Sequence, residues 1–286
     1  MVVGSPEHRE LFCRAFVETH RAFEPEKLPW PTLEGRELAR LRGFPLWSYA
    51  RSIEERAGRM VTAFARTIGD PVIRDAVALQ GYEETRHGRL IDHAIERYGV
   101  NAARLALDDG PADRESFLVF GFGECSDSFL GFGAFAIVRQ KKFFPEALME
   151  IFEHLLWEEA RHIVFFMNWW RYERALAGED GFFARTASAL SYHYKAVGGA
   201  ADRVGSGGDV TLPKFSRESL DPALRDVSPI ELLEAALAES RRLMDRFDPR
   251  LVRPTVMPLT ATLLLAALRA LPPRQRTVPA ALPRAS

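Results

Sequence analysis

Two stretches decide how this chain is read: GYEETRHGRLIDHA, Gly81–Ala94, and WEEARHIVFF, Trp157–Phe166. Both carry Glu-Glu-x-Arg-His, so Glu84/His87 and Glu159/His162 each stand three residues apart. On a helix, residues at that spacing differ by about 300° and project from one stripe, one turn apart. A single Glu-x-x-His is common on a solvated helical face. Its repetition in one chain points to two halves of a shared metal site.

The rest of the composition bounds the answer. At 286 residues and 47% apolar content, the chain can bury a sizeable core and is read as a single domain over 1–286. Its formal net charge is −1 and its Lys and Arg are dispersed, with no basic run interleaved with aromatics, which argues against nucleic acid as a partner. The start, MVVGSPEHRE, has no apolar targeting segment, and the apolar stretch from Thr255 to Leu271 is interrupted by Pro258 and Arg269. No membrane partner is expected, and a cytoplasmic location is. Cys13 and Cys125 form no CxxC, which excludes a disulfide framework and a rubredoxin-type iron site and fits a reducing compartment.

Periodicity predicts helices almost throughout, so the expected fold class is all-α. Ser5-Pro6 caps a first helix to about Ala22, and EPEKLPWPTLEG is a Pro-rich connector, making 1–43 an N-terminal helical extension. Four long helices follow within 44–175: about Pro45–Ile68, Pro71–Tyr98, Ala112–Lys142 and Pro145–Arg174. Gly69-Asp70-Pro71 and Phe144-Pro145 mark the tight corners. The C-terminal part, 176–286, reads as an aromatic stretch at Ser191–Lys195, a Gly-rich loop GGAADRVGSGGD, helices near Pro229–Phe247 and Leu251–Leu271, and a disordered tail after Pro272.

A carboxylate-bridged dimetal centre in a four-helix bundle needs one inward Glu from each helix that lacks a Glu-x-x-His. In the first long helix the apolar stripe Trp47, Ala50, Ala57, Val61, Phe64, Ile68 includes Glu54, whereas Glu55 lies about 100° away. In the third, Phe117, Phe120, Gly121, Ser128, Gly131 and Phe135 share a stripe with Glu124. Height agrees as well. The midpoint between Glu54 and Glu84/His87 falls at the corner near Asp70, and that between Glu124 and Glu159/His162 falls near Lys142. The connection Gly99–Pro111 spans roughly 44 Å when extended, enough to run back along a helix of roughly 40 Å.

In this pattern the chain resembles the ferritin-like di-iron carboxylate proteins, in their oxidase and oxygenase branch. The resemblance covers about Pro45–Arg174 and implies a ferritin-like four-helix bundle in which Glu54, Glu84, His87, Glu124, Glu159 and His162 bind two iron ions. Four carboxylates neutralise two divalent ions and each His adds a neutral nitrogen; manganese, or a mixed manganese–iron pair, suits the same donors. The Glu-Glu-x-Arg-His form is similar to that of desaturases and di-iron hydroxylases, which implies that Glu83 and Glu158 hold the metal-bound histidines. Surface ion pairing is the alternative for Glu83, Arg86, Glu158 and Arg161. Asp127, one turn after Glu124, is a further candidate acid.

Gly58, Gly81, Gly88, Gly121, Ser128 and Gly131 lie on or near the ligand stripes. As a set they suggest a substrate pocket walled by Phe120, Phe132, Phe135, Phe166 and Trp169; close helix packing is the other reading. Cys125, His93, His154 and His193 are read as packing or surface residues. Two function classes fit. One is a di-iron oxidase or oxygenase acting with dioxygen on a small, partly apolar substrate, served by a separate reductase or ferredoxin unless the substrate supplies the electrons. The other is a ferritin-type iron-binding protein that oxidises, stores or detoxifies iron. The residues after the bundle favour the enzyme, since they are available to cover the site or to build a homodimer contact. A ribonucleotide reductase radical subunit is disfavoured because Ile91 stands where its Tyr is expected, and a rubrerythrin because the CxxC pairs are missing.

Overall fold

The computed structural model describes residues 1–105, 107–205, 224 and 226–270. Among these residues the chain forms nine α-helices and no strand: α1 (Pro6–Glu18), α2 (Gly35–Arg42), α3 (Trp47–Ala65), α4 (Pro71–Tyr98), α5 (Arg114–Gln140), α6 (Glu146–Leu176), α7 (Phe182–Gly205), α8 (Pro229–Met244) and α9 (Val256–Ala270).

Local chemistry sets most of the boundaries. The Ser5 hydroxyl accepts from the His8 amide with Pro6 at the first turn of α1, and the Asp70 carboxylate accepts from Val72 and Ile73 ahead of α4. Asp113 caps α5 and Ser228 caps α8 in the same way. Gly99 ends α4 in the left-handed region at φ 60°, which glycine adopts without strain. The first helix stops at Glu18, short of Ala22: the Thr19 amide closes the last turn on the Ala15 carbonyl at 3.3 Å and the His20 amide tightens onto that of Val17 at 3.2 Å. The start of the Gly-rich segment is not a loop: α7 runs through the aromatic stretch at Ser191–Lys195 and on into it. Its Ala189 and Ala196 are buried and Tyr192 stacks on Phe122 of α5, so packing outweighs the poor helix propensity of Gly198 and Gly199. The remainder of that Gly-rich segment beyond Gly205 and the tail after Pro272 lie outside the described residues.

The four long helices α3–α6 pack on one another, α3 on α4 and α5, and α6 on α4 and α5. α3 and α4 approach closely. A Cβ on Gly58 would lie 3.0 Å from the Thr85 backbone nitrogen, and one on Gly81 would lie 2.8 Å from that of Thr62. These glycines therefore serve close helix packing and open no pocket; the matching pairs also fix α3 and α4 as antiparallel in one register. Phe64, at the end of α3, stacks on Phe117, at the start of α5. The link from Gly99 to Asp113 thus returns along α3, tied by Arg51 to the Ala102 carbonyl and by Arg56 to that of Asp108.

Two apolar clusters fill the interior. One joins Phe64, Val77, Phe117, Phe166 and Trp169 to Phe12 and Phe16 of α1; the other joins Trp47, Leu90, Ile91, Ala94, Leu148 and Ile151. Between them α4 presents Gln80, Glu83, Glu84, Arg86 and His87, a buried polar layer. Outside, α8 lies against α5 so closely that a Cβ on Gly133 would meet the Ala236 backbone at 2.6 Å. Gly81→Ala is therefore expected to destabilise the fold by about 1–3 kcal/mol in chemical denaturation. Gly131→Ala, with nothing within 4 Å of its added Cβ, is expected to be neutral or to stabilise by up to about 1 kcal/mol.

Candidate metal centre

Glu54 from α3, Glu84 and His87 from α4, Glu124 from α5, and Glu159 and His162 from α6 meet in the polar layer. Their atoms form two groups: Glu54, Glu84, His87 and Glu159 in one, and Glu84, Glu124, Glu159 and His162 in the other, with ligand atoms in each all within 4.8 Å of one another. Glu84 and Glu159 belong to both. Each group is completed by one further carboxylate and one imidazole, so the donors suit two adjacent cations bridged by two carboxylates.

The histidines turn their Nδ1 atoms inward. His87 Nδ1 lies 3.2 Å from Glu159 and 3.4 Å from Glu54, and His162 Nδ1 lies 2.9 Å from Glu84. Both atoms are buried and neither makes an aligned hydrogen bond, as expected of nitrogens shaped for a cation. The outward nitrogens are held by the acids that precede the bridging glutamates, and the pairing crosses between helices. His87 Nε2 of α4 donates to Glu158 of α6 at 3.0 Å, while His162 Nε2 of α6 donates to Glu83 of α4 at 2.9 Å. Such a bond fixes the ring and leaves Nδ1 for the ion.

Each of these acids also takes an arginine across the same interface. Arg161 donates to Glu83 at 2.6 Å, and Arg86 donates to Glu158. All four side chains are buried. The end of α1 and the segment after it seal them: Arg161 donates to the Phe16 carbonyl and the Thr19 hydroxyl and lies over the Phe16 ring, Arg86 lies over the Phe23 ring, and His20 donates to Glu83 at 2.5 Å. His20, Glu83 and Glu158 also fall within 4.8 Å of one another, but the two acids are already engaged by the arginines.

The electrostatics are those of a charge-balanced, proton-loaded cluster. Burial pushes Glu54 up to about 8, with His87 only partly opposing it. Burial, together with the neighbouring Glu84 and Glu159, holds Glu124 well above the carboxylate range. Burial works against charge on His162, but Glu84 and Glu83 carry it up to about 10, and Glu158, Glu159, Glu54 and Glu84 likewise raise His87. Against the same burial penalty, His162 and Arg161 hold Glu83 down to about 2, and both histidines hold Glu84 well below its ordinary value.

Solvent reaches the centre at the carboxylates Glu54, Glu124 and Glu159. Glu54 is 17% exposed and Glu159 11%, against 1% or less for Glu84, His87 and His162. Ser128 is half-buried and donates to Glu159 at 3.3 Å. The space beside Gly121 is filled by the buried Phe166 ring, whereas Gly131 and Asp127 lie on the exposed face of α5. Phe120 and Phe135 are half-buried, and Phe132 is buried. Of the remaining histidines, His193 lies 2.8 Å from Ser126 and is pushed down to about 4 by burial, His154 lies against Phe23, and His93 lies against Trp30.

Two neighbours of the centre escape a motif reading. Gln80 sits one turn before Glu84, fully buried, with its amide nitrogen 3.4 Å from both Glu84 and Glu124; its position on the ligand stripe was the available signal. His20 lies just past the end of α1, where the sequence predicts the last turn of that helix. The buried Glu and His groups can hold metal ions, and no helix among the described residues is long and apolar enough to cross a membrane. No family model matches the chain, and no curated protein or solved structure matches it at significance.

Proposed function

We propose that the chain is a ferritin-like di-iron oxidase or oxygenase, with α3–α6 as the four-helix bundle and the flanking helices as extensions. The observation that carries this reading is the sharing of Glu84 and Glu159 between two ligand groups, each completed by one carboxylate and one buried imidazole. Two iron ions held there would supply the electrons that reduce dioxygen, and manganese, or a mixed pair, suits the same nitrogen–oxygen donors. Glu83 and Glu158 hold the proton on each His Nε2 and fix the tautomer. The aromatic cluster of Phe117, Phe166 and Trp169 excludes water from one end, while the partly exposed Glu54 and Glu159 mark the side from which dioxygen and a small, partly apolar substrate approach. The described residues offer no redox motif of their own, so a separate reductase or ferredoxin restores the reduced state unless the substrate supplies the electrons.

Anaerobic loading with Fe(II) followed by rapid mixing with dioxygen tests the reading. About two Fe(II) per chain should bind and be oxidised together, and re-reduction should require an added donor. Deposition of a mineral core of many irons per chain would replace this proposal with iron storage, and failure to bind Fe(II) would remove both.

A further inference from the structure

The two halves of the centre are near-copies. Glu83, Glu84, Arg86 and His87 on α4 answer to Glu158, Glu159, Arg161 and His162 on α6. One buried polar side chain has no counterpart on the other half: four residues before the shared glutamate, α4 has Gln80 and α6 has Leu155. Gln80 is 0% exposed and its carboxamide oxygen has no hydrogen-bond partner, an arrangement that costs about 1–3 kcal/mol unless something else meets that oxygen.

Its geometry is unusual for a donor. The amide nitrogen lies 3.4 Å from Glu84 Oε1 and 3.4 Å from Glu124 Oε2, beyond the usual range of about 2.7–3.2 Å for an N–H···O bond. Two oxygen ligands at adjacent corners of an octahedron around a small divalent cation, each at about 2.1 Å, stand roughly 3.0 Å apart. A half-turn of the carboxamide exchanges its nitrogen and oxygen without moving the rest of the side chain. The oxygen then takes the nitrogen's place at the spacing of a co-ligand of Glu84 and Glu124. Those two carboxylates, with Glu159 and His162, are one of the two ligand groups; the group containing Glu54 has no counterpart, because Leu155 offers no donor.

We propose that Gln80 is a neutral oxygen ligand of the Glu124–His162 position, and that it makes the two metal positions unequal. The inference rests on the dimetal reading. Gln80 adds a donor without adding charge, so the ion beside Glu124 is held more firmly than the one beside Glu54, and the Glu54 position, one ligand poorer, is the one left for exchangeable ligands.

Anaerobic titration of the full chain with Co(II), followed by calorimetry and visible absorption, tests this. The wild type should bind two ions in two resolved steps. Gln80→Met, which keeps the volume and removes the oxygen, should weaken the tighter step by about 10–100-fold and leave the other unchanged. Gln80→Glu, which keeps an oxygen donor and adds a negative charge, should strengthen that step beyond the wild type and leave the other unchanged, an outcome that a packing role for the side chain would not produce. Two equal sites in the wild type, an unchanged isotherm in Gln80→Met, or equal weakening of both steps would overturn the proposal while leaving the dimetal centre standing. Failure of the wild type to take up any Co(II) would overturn the centre itself. Should Gln80→Met not fold, the Gln80→Glu isotherm decides alone: a change confined to one step supports the proposal, and no change rejects it.

Discussion

Replacing Glu84 or Glu159 by Ala should take the bound metal from about two ions per chain to nearly none, whereas Glu54→Ala or Glu124→Ala should leave about one. The difference follows from membership. Glu84 and Glu159 each lie in both ligand groups, while Glu54 and Glu124 lie in one apiece. Losing a shared carboxylate removes a ligand from each position and leaves the remaining cations facing each other with one bridge fewer. Losing a terminal carboxylate spares the opposite position. Metal analysis of protein loaded with excess Fe(II) and then desalted reads the result directly. Equal metal content in the four variants would mean that no carboxylate bridges.

Loading two divalent ions at neutral pH should release about four protons, one each from His87, His162, Glu54 and Glu124. All four groups are shifted upward in the metal-free fold, His162 to about 10 and Glu54 to about 8. Each is therefore protonated at pH 7, while a metal ligand must be deprotonated. The sign follows: affinity rises with pH. With about two protons displaced per ion, each affinity should fall by about a hundredfold per pH unit below pH 8, and the slope should ease above that value as Glu54 ionises on its own. Calorimetry in buffers of different ionisation enthalpy counts the protons. Release of about one per ion or fewer would show that the four groups are not all protonated before metal arrives.

Much of this architecture was legible from spacing alone. The repeat of Glu-x-x-His, and the apolar stripes carrying Glu54 and Glu124, placed six side chains at one height, and the structure brings those six together. The four long helices announced themselves through their periodicity and through the corners at Gly69-Asp70-Pro71 and Phe144-Pro145, where α4 begins at Pro71 and α6 at Glu146. Other features could not be read because their cause is not local. α7 is helical through contact with α5 although its sequence is rich in Gly and aromatics. Gly58 and Gly81 look alike whether they border a cavity or a neighbouring backbone, and only the approach of Thr85 and Thr62 decides. The presence of an acid beside each histidine was implied by the motif, but the helix from which it comes was not.

That crossing has a consequence for the order in which the molecule is assembled. His87 meets Glu158 across 71 positions of chain and His162 meets Glu83 across 79, and the two arginine bonds span 72 and 78. An α3–α4 hairpin can form early, since its ends are joined by a short turn, yet it holds His87 without an acceptor and Glu83 without a donor. Contacts of such sequence separation form only after the entropy of closing a long loop has been overcome. The ion-binding atoms are therefore oriented last, when α6 has docked on α4. The hairpin alone gathers Glu54, Glu84 and His87 with the outer face of the His87 ring unheld, so on the proposed dimetal reading both positions are completed only when α6 and Glu159 arrive.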